Sequence, residues 1–272
     1  MSSHGPSLRK AVGPARKTRA AASARTNSAG ASLGRGLGAG LLGGLASGLF
    51  LLVVGEPSID RAIRLERAAS AGHANEEVFT RGEQQLGMVL ASGLFGLAVG
   101  GVLGILFYVL SRRMAGTPWE RSMKIALAGF GAYFLVPFLK YPANPPGVGD
   151  PETVGIRTAG YLFLVLVSVA GCFLGMAVAR RLKARGTPAH YGHLTVAATY
   201  LLLVGTAFLA LPPSVKPDGI PSGLLWDFRM ASIGGQAVLW TCTGVILGLL
   251  SMRAQRSTAA AGESLPVTEQ EV

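Results

Sequence analysis

Hydrophobic and polar positions follow one another along this chain in long blocks rather than in short periods. Six runs of mostly apolar residues, with almost no charge inside them, are separated by shorter polar segments. A helix needs about 20 such residues to cross the hydrocarbon core of a bilayer. The pattern therefore predicts an integral membrane protein whose spans lie at 36–54, 86–110, 123–139, 158–179, 194–211 and 233–250.

The same pattern predicts the fold class and the domain organisation. The alternation of apolar and polar residues that marks a membrane strand is not seen, so we expect an all-α, polytopic bundle of about six transmembrane helices rather than a β-barrel. Only 14% of the residues are charged and 50% are hydrophobic, as expected of a membrane protein. We expect a basic, disordered tail at 1–32, a transmembrane domain at 33–252 and a second disordered tail at 253–272.

Charge is distributed unequally between the two ends of the predicted spans. Of the 25 Lys and Arg residues, 17 fall on the side of the N-terminus and 8 on the other side, which also holds 10 of the 14 acidic residues. Because cytoplasmic loops carry the excess of Lys and Arg, this predicts that both termini are cytoplasmic, an N-in, C-in topology. The net charge of +11 then reflects topology and contact with membrane lipids, and we expect no nucleic-acid partner.

Small residues recur four positions apart within the apolar runs. On a helix this spacing forms a stripe along one face, which lets a second helix backbone approach closely. The segment 38–43, GAGLLG, also has the letters of a dinucleotide-binding loop, but it follows a basic tail and lies inside an apolar run, so we expect no cofactor. The three stripes are Gly36, Gly40, Gly44 and Gly48; Ser92, Gly96, Gly100 and Gly104; and Gly171, Gly175 and Ala179.

Residues with catalytic or metal-binding chemistry are sparse. We find no nucleophile with a matching base and no phosphate-binding loop, and therefore do not expect an enzyme. Cys172 and Cys242 lie in predicted spans and are expected to be buried small residues rather than a disulfide. His190 and His193 are three residues apart without a neighbouring Cys, Asp or Glu, a pattern that favours a solvated loop over a metal site.

The three polar segments on the non-cytoplasmic side share one layout. Each has proline and acid early and an arginine close to the start of the next apolar run, namely Arg81, Arg157 and Arg229. A cation at a helix N-terminus opposes the helix dipole, so we expect nearby carboxylates to offset it. Five prolines make the middle segment stiff, and we expect Lys140 and Asn144 to face a polar vestibule there. The alternative is a polar rim that only marks the membrane edge.

Three segments resemble the CbtA family of proposed cobalt transporter subunits. They are GEPSIDRAI at 55–63, PFLKYPANPPGVGDPETVGIRT at 137–158 and LLWDFRMASIGGQAVLW at 224–240, and the likeness covers roughly 33–252. The resemblance implies a multi-pass inner (plasma) membrane protein that handles a divalent metal ion, cobalt or nickel. It also implies a small single-span partner with a His-rich end. A membrane scaffold that transports nothing is the alternative function.

The outer segments provide the residues that such a function would use. Co²⁺ accepts carboxylate, carbonyl, imidazole and water ligands, and these segments contain carboxylates but almost no imidazole. A carboxylate site would be hard and weakly selective, and a His-rich partner would add selectivity. The candidate metal ligands are Glu56, Asp60, Asp150 and Asp227. The candidate substrate-binding residues are these four with Lys140, Asn144, Arg157 and Arg229. We further expect Lys140, Asp150, Arg157, Asp227 and Arg229 to form one charge cluster.

Overall fold

The computed structural model describes residues 28–69, 79–146, 151–214 and 220–263. All regular structure in these ranges is helical, and none of it is strand. Six helices are long and apolar enough to cross a membrane, which confirms the predicted fold class. The candidate spans are Ala29–Val54, Arg81–Ser111, Pro118–Lys140, Val154–Ala184, Ala189–Ala210 and Ser222–Ala260.

All six membrane-spanning helices begin earlier than the predicted apolar runs, and four of them end later. Polar caps set several of the beginnings, since Ser28, Thr80 and Thr117 each accept a hydrogen bond from a backbone N–H of the first turn. The elements are α1 (Ala29–Val54), α2 (Glu56–Ala69), α3 (Arg81–Ser111), α4 (Pro118–Gly129), a π-helix (Phe130–Leu135), α5 (Val136–Lys140), a 3₁₀ turn (Pro151–Thr153), α6 (Val154–Ala184), α7 (Ala189–Ala210) and α8 (Ser222–Glu263).

Two helices extend past the predicted limits of the membrane domain, and the division of the chain into tails and membrane domain stays a prediction. α1 begins at Ala29, inside the expected N-terminal tail, and α8 continues to Glu263, well beyond the expected end of the membrane domain at 252. The remainder of both predicted tails, 1–27 and 264–272, lies outside the described residues.

α1 and α3 pack along the predicted glycine stripes. A Cβ atom on Gly36 would meet the Gly100 carbonyl oxygen and lie 2.7 Å from the Gly104 Cα, and one on Gly40 would lie 2.6 Å from the Gly100 Cα. Real Cβ atoms are not found that close to a backbone, so only glycine allows this approach. The two stripes are therefore one interface, as the spacing predicts.

α8 packs between α1 and α4 and is held to both by serine hydroxyl groups. Ser47 Oγ of α1 donates to the Gly235 carbonyl at 2.8 Å, and Ser122 Oγ of α4 donates to the Gly244 carbonyl at 2.6 Å. Both serines are buried, so each hydroxyl group needs a partner inside the bundle. Together α1, α3, α4 and α8 form the main body of the fold.

α6 and α7 form a hairpin beside this body. Gly171 and Gly175 of α6 pack against Tyr200 and Val196 of α7, which confirms the third small-residue stripe as a packing surface. α6 ends in a turn where Gly186 has a φ of 72°, a conformation that favours glycine. In the same turn the N–H of Thr187 donates to the Leu182 carbonyl. α7 packs chiefly on α6, and α6 also contacts the π-helix and α5.

The third span is interrupted where a proline follows a π-helix. Pro137 has no N–H, so it cannot donate to a carbonyl of the preceding turn. The π-helix at 130–135 accommodates the irregularity, and the hydroxyl group of Tyr161 on α6 donates to the Tyr133 carbonyl at 3.4 Å. A carbonyl without a partner in the hydrocarbon core would be costly, so this hydrogen bond is favourable there. Because Tyr161 is on α6, the contact also links the hairpin to the main body.

Candidate functional site

The described parts of three connections, 55–69 with 79–81, 140–146 with 151–157, and 211–214 with 220–229, lie at the same end of the bundle, the end opposite both described termini. We call this end the loop face. It includes α2, a short amphipathic helix that packs on α1 and α8. The pattern of apolar runs does not predict α2, because the helix is too polar to span a membrane, although Ile59, Ala62 and Ile63 recur at helical spacing.

Two carboxylates of α2 share one arginine. Glu56 and Asp60 are four residues apart and therefore face the same way. Nη2 of Arg81, the first residue of α3, forms ion pairs with Glu56 Oε1 and, at 2.8 Å, with Asp60 Oδ1. Gln85 Nε2, one turn further along α3, donates to Glu56 Oε1 at 3.0 Å. Two carboxylate oxygens therefore converge on one nitrogen atom. The position is partly buried, since Glu56 is only 7% exposed.

A second ion pair connects α2 with the start of α8. Arg61 Nη1 lies 3.2 Å from Asp227 Oδ2, and both side chains are about half exposed. An exposed pair of this kind contributes about 0–1 kcal/mol, so its main effect is on the position of α2. A cavity of about 470 Å³ opens beside it, lined by Arg64, Leu65 and Pro221 among others.

The beginning of the proline-rich segment is fastened to the end of α7. Lys140 Nζ donates to the Phe208 carbonyl at 2.8 Å, and the Tyr141 hydroxyl group donates to the Pro212 carbonyl at 2.9 Å. Carbonyls in the last turn of a helix have no helical partner, and a cation there is favoured by the dipole. Burial raises the pKa of Tyr141 further above its ordinary value, so its hydroxyl group stays a donor even in mildly alkaline solution. Lys140 therefore caps α7.

The next residues of this segment are fastened to α8. Arg229 Nε donates to the Ala143 carbonyl at 3.2 Å, and Arg229 Nη2 donates to Asn144 Oδ1 at 3.1 Å. Arg157 of α6 lies close enough for its charge to repel that of Arg229. Within the described residues, Arg157 Nε and Asn144 Nδ2 are buried without a hydrogen-bond partner. We call Asn144, Arg157 and Arg229 the arginine group.

The structure thus divides the sequence-predicted residues among separate places on the loop face. Glu56 and Asp60 lie together, Asp227 pairs with α2, Lys140 lies at the end of α7, and the arginine group lies between α6 and α8. Asp150 lies outside the described residues, so the expected charge cluster and the four-carboxylate metal site stay predictions. In the ranges that the structure describes, no three His, Cys, Asp or Glu side chains are grouped as a metal site.

Sequence reasoning anticipated part of this arrangement. The expectation that carboxylates offset the N-terminal arginine of a helix is met at Arg81 by Glu56 and Asp60. Gln85 was missed, although it lies one turn after Arg81 and therefore on the same face of α3. Arg61 and Tyr141 were also missed, and no local sequence signal identifies their partners, which are distant in the chain.

Comparison with known proteins assigns the family. No curated protein and no solved structure matches the chain. One family model matches residues 30–252, which is most of the chain and extends from the first turn of α1 into α8. That model is described as a probable cobalt transporter subunit, CbtA. The chain, a multi-pass bundle with six candidate membrane spans, therefore belongs to the CbtA family.

Proposed function

We propose that this protein transports divalent cobalt, and also nickel, across the inner (plasma) membrane, with the loop face on the non-cytoplasmic side. The family supports the cobalt substrate and a transport role rather than an enzymatic one. The excess of Lys and Arg at the opposite end supports the orientation.

The observation that carries the proposal is the convergence of Glu56 and Asp60 on Arg81 Nη2. A place that holds one positive nitrogen between two carboxylate oxygens has the charge and the ligand type to hold a divalent cation instead. Arg81 then acts as a counter-ion that occupies the place when no metal is bound. Rotation of the Gln85 amide would supply a carbonyl oxygen, and water would complete the coordination.

The charge distribution favours this side of the loop face for cation entry. The arginine group carries two like charges, and no described carboxylate forms an ion pair with either of them. Like charges raise the energy of an approaching cation. A metal ion is therefore directed away from Arg157 and Arg229 and toward the carboxylates of α2.

The proposal is tested by cobalt binding to the purified chain, measured by equilibrium dialysis. We expect Glu56→Gln and Asp60→Asn each to weaken binding about tenfold, the effect of losing one charged ligand worth about 1.4 kcal/mol. Glu120→Gln, at the opposite end of the bundle, is the matched control and should bind as the unaltered chain does. Arg81→Gln should bind cobalt at least as tightly as the unaltered chain, because the competing cation is gone.

Two results would contradict this site. Unchanged binding in Glu56→Gln and Asp60→Asn would show that the carboxylates are structural. A loss of binding in Arg81→Gln equal to that in Glu56→Gln, with normal elution on size exclusion, would show that the network itself is required.

The word subunit in the family description implies a partner in a transporter complex. We propose a small single-span protein with a His-rich end, whose imidazoles would add the selectivity that two carboxylates lack. Co-expression with such a partner should raise the preference for Co²⁺ over Mg²⁺. A chain that binds no cobalt but still co-purifies with a membrane protein would favour the scaffold alternative.

A further inference from the structure

A cleft of about 760 Å³ separates the α6–α7 hairpin from the main body. Its walls are α3, α4 with the π-helix, α6 and α7, and Trp240 of α8 also lines it. The volume is within the range of about 300–1,000 Å³ that is typical of small-molecule sites. The lining is mostly apolar, with Leu103, Leu106, Met176 and Val196 as examples.

The cleft extends through half of the membrane-spanning region. On α6 its lining residues run from Val169 to Ala179, a length of roughly 15 Å at the rise of an α-helix. The hydrocarbon core of a bilayer is about 30 Å thick. On α7 the lining residues are near the start of the helix, from His193 to Tyr200. The cleft therefore reaches from the end opposite the loop face to mid-membrane, the depth of one leaflet.

Two basic side chains lie at the end of this apolar cleft that is opposite the loop face. Lys124 is in the second turn of α4 and His193 is in the second turn of α7, and both helices begin at the same end of the bundle. Among the described residues, neither side chain has a hydrogen bond or an ion pair. A lysine without an acidic partner at the edge of the membrane has capacity for an anionic group.

We propose that the cleft binds an anionic phospholipid of the cytoplasmic leaflet, with an acyl chain along the apolar walls and the phosphate at Lys124 and His193. The one-leaflet depth fits a lipid, whereas a partner helix would need a complementary surface through both leaflets. The basic end fits an anionic headgroup, and basic pockets between helices on the cytoplasmic side bind such headgroups. The site is separate from the loop face, so its test does not involve cobalt.

Trp240 provides a direct reporter of occupancy. Replacing Trp119 and Trp226 by Phe leaves it as the single tryptophan, and the full chain is reconstituted in phosphatidylcholine vesicles that contain brominated phosphatidylglycerol or, at equal mole fraction, brominated phosphatidylcholine. Bromine quenches tryptophan fluorescence only at short range. We expect brominated phosphatidylglycerol to bind about fivefold or more tightly, the effect of one cation near an anionic lipid.

The charge-deleted variant and a matched control test the role of the two basic residues. Lys124→Gln with His193→Gln should abolish the preference for phosphatidylglycerol. Lys183→Gln with Arg185→Gln removes two exposed charges near the same membrane surface that do not line the cleft, and it should retain the preference.

Equal quenching by the two lipids would overturn the proposal, and so would a preference that survives Lys124→Gln with His193→Gln. No quenching by either lipid would also overturn it, because the cleft would then be closed or filled by protein. Native mass spectrometry of the unaltered chain provides an independent test in case the tryptophan replacements impair folding. It should show phosphatidylglycerol retained in preference to phosphatidylcholine, and retention of neither would also overturn the proposal.

Discussion

At the scale of single residues, the missing side chains of glycine decide how closely α1 and α3 approach. A Cβ on Gly40 would lie 2.6 Å from the Cα and 2.8 Å from the amide nitrogen of Gly100, and both of these are backbone atoms that cannot rotate away. Gly38, on the same helix, has nothing within 4 Å of its Cβ position. Gly40 and Gly38 are therefore a matched pair on one helix, of which only Gly40 packs against α3.

Gly40→Ala should therefore destabilise the protein by about 1–3 kcal/mol, because α1 and α3 must separate to admit the methyl group. Gly38→Ala should be neutral or stabilising by up to about 1 kcal/mol, since alanine is the better helix former. The measurement is the thermal unfolding midpoint in detergent. Equal midpoints for the two variants would contradict the close packing of α1 and α3.

A second residue-scale prediction concerns the cap of α7. Lys140→Met keeps the apolar stem but removes the donor to the partly buried Phe208 carbonyl, and the loss of this hydrogen bond should lower the free energy of unfolding by about 0.5–1.5 kcal/mol. Lys183→Met, at an exposed position of α6, is the control and should change the midpoint little. If Lys140 instead faced a vestibule, Lys140→Met should leave the unfolding midpoint unchanged and lower cobalt transport alone.

Residue patterns could be predicted from the sequence where the cause is local. The four-residue glycine spacing and the arginine at the start of α3 can each be recognised within a single helix. Both expectations are met in the structure. The partners of Lys140 and Arg61 depend on where α7 ends and where α8 begins. These positions are tertiary facts that no short segment of sequence contains.

At the scale of elements, the irregular third span connects the hairpin to the main body. The apolar run predicted a span but neither the π-helix nor its partner, because Pro137 reveals only that a carbonyl is released. The identity of the donor, Tyr161, depends on the packing of α6. The short helix α2 is not predicted for a different reason, since an amphipathic helix contains no long apolar run.

A double-mutant cycle tests the link between Pro137 and Tyr161. Tyr161→Phe should destabilise the unaltered chain by about 0.5–1.5 kcal/mol, because the Tyr133 carbonyl loses its hydrogen bond. In a Pro137→Ala background the restored N–H supplies a helical partner, so the same change should cost less. Identical costs in both backgrounds, measured by thermal unfolding, would show that the two residues are not coupled.

At the scale of the whole molecule, six spans put both ends of the membrane domain on the same side, and charge predicts which side that is. Sequence sufficed for the number of spans because each is a long apolar helix. The orientation still stands on the distribution of Lys and Arg alone. It decides whether the loop face meets incoming metal.

Cysteine labelling in intact cells checks this orientation. After Cys172 and Cys242 are replaced by Ser, a membrane-impermeant reagent should label Pro146→Cys on the loop face. It should label Arg185→Cys, in the turn after α6, only once the membrane is permeabilised. The reverse pattern would place the loop face in the cytoplasm.

The most direct test of the account is uptake of radioactive cobalt by proteoliposomes, made with the chain alone and with its co-purified partner. Wild-type vesicles should accumulate cobalt above empty vesicles. Vesicles with Glu56→Gln and Asp60→Asn together should fall to the empty-vesicle level at equal protein content, while Glu120→Gln should match wild type. Full uptake by the double variant would contradict the carboxylate site. No uptake by wild type, with its partner present, would contradict cobalt transport itself.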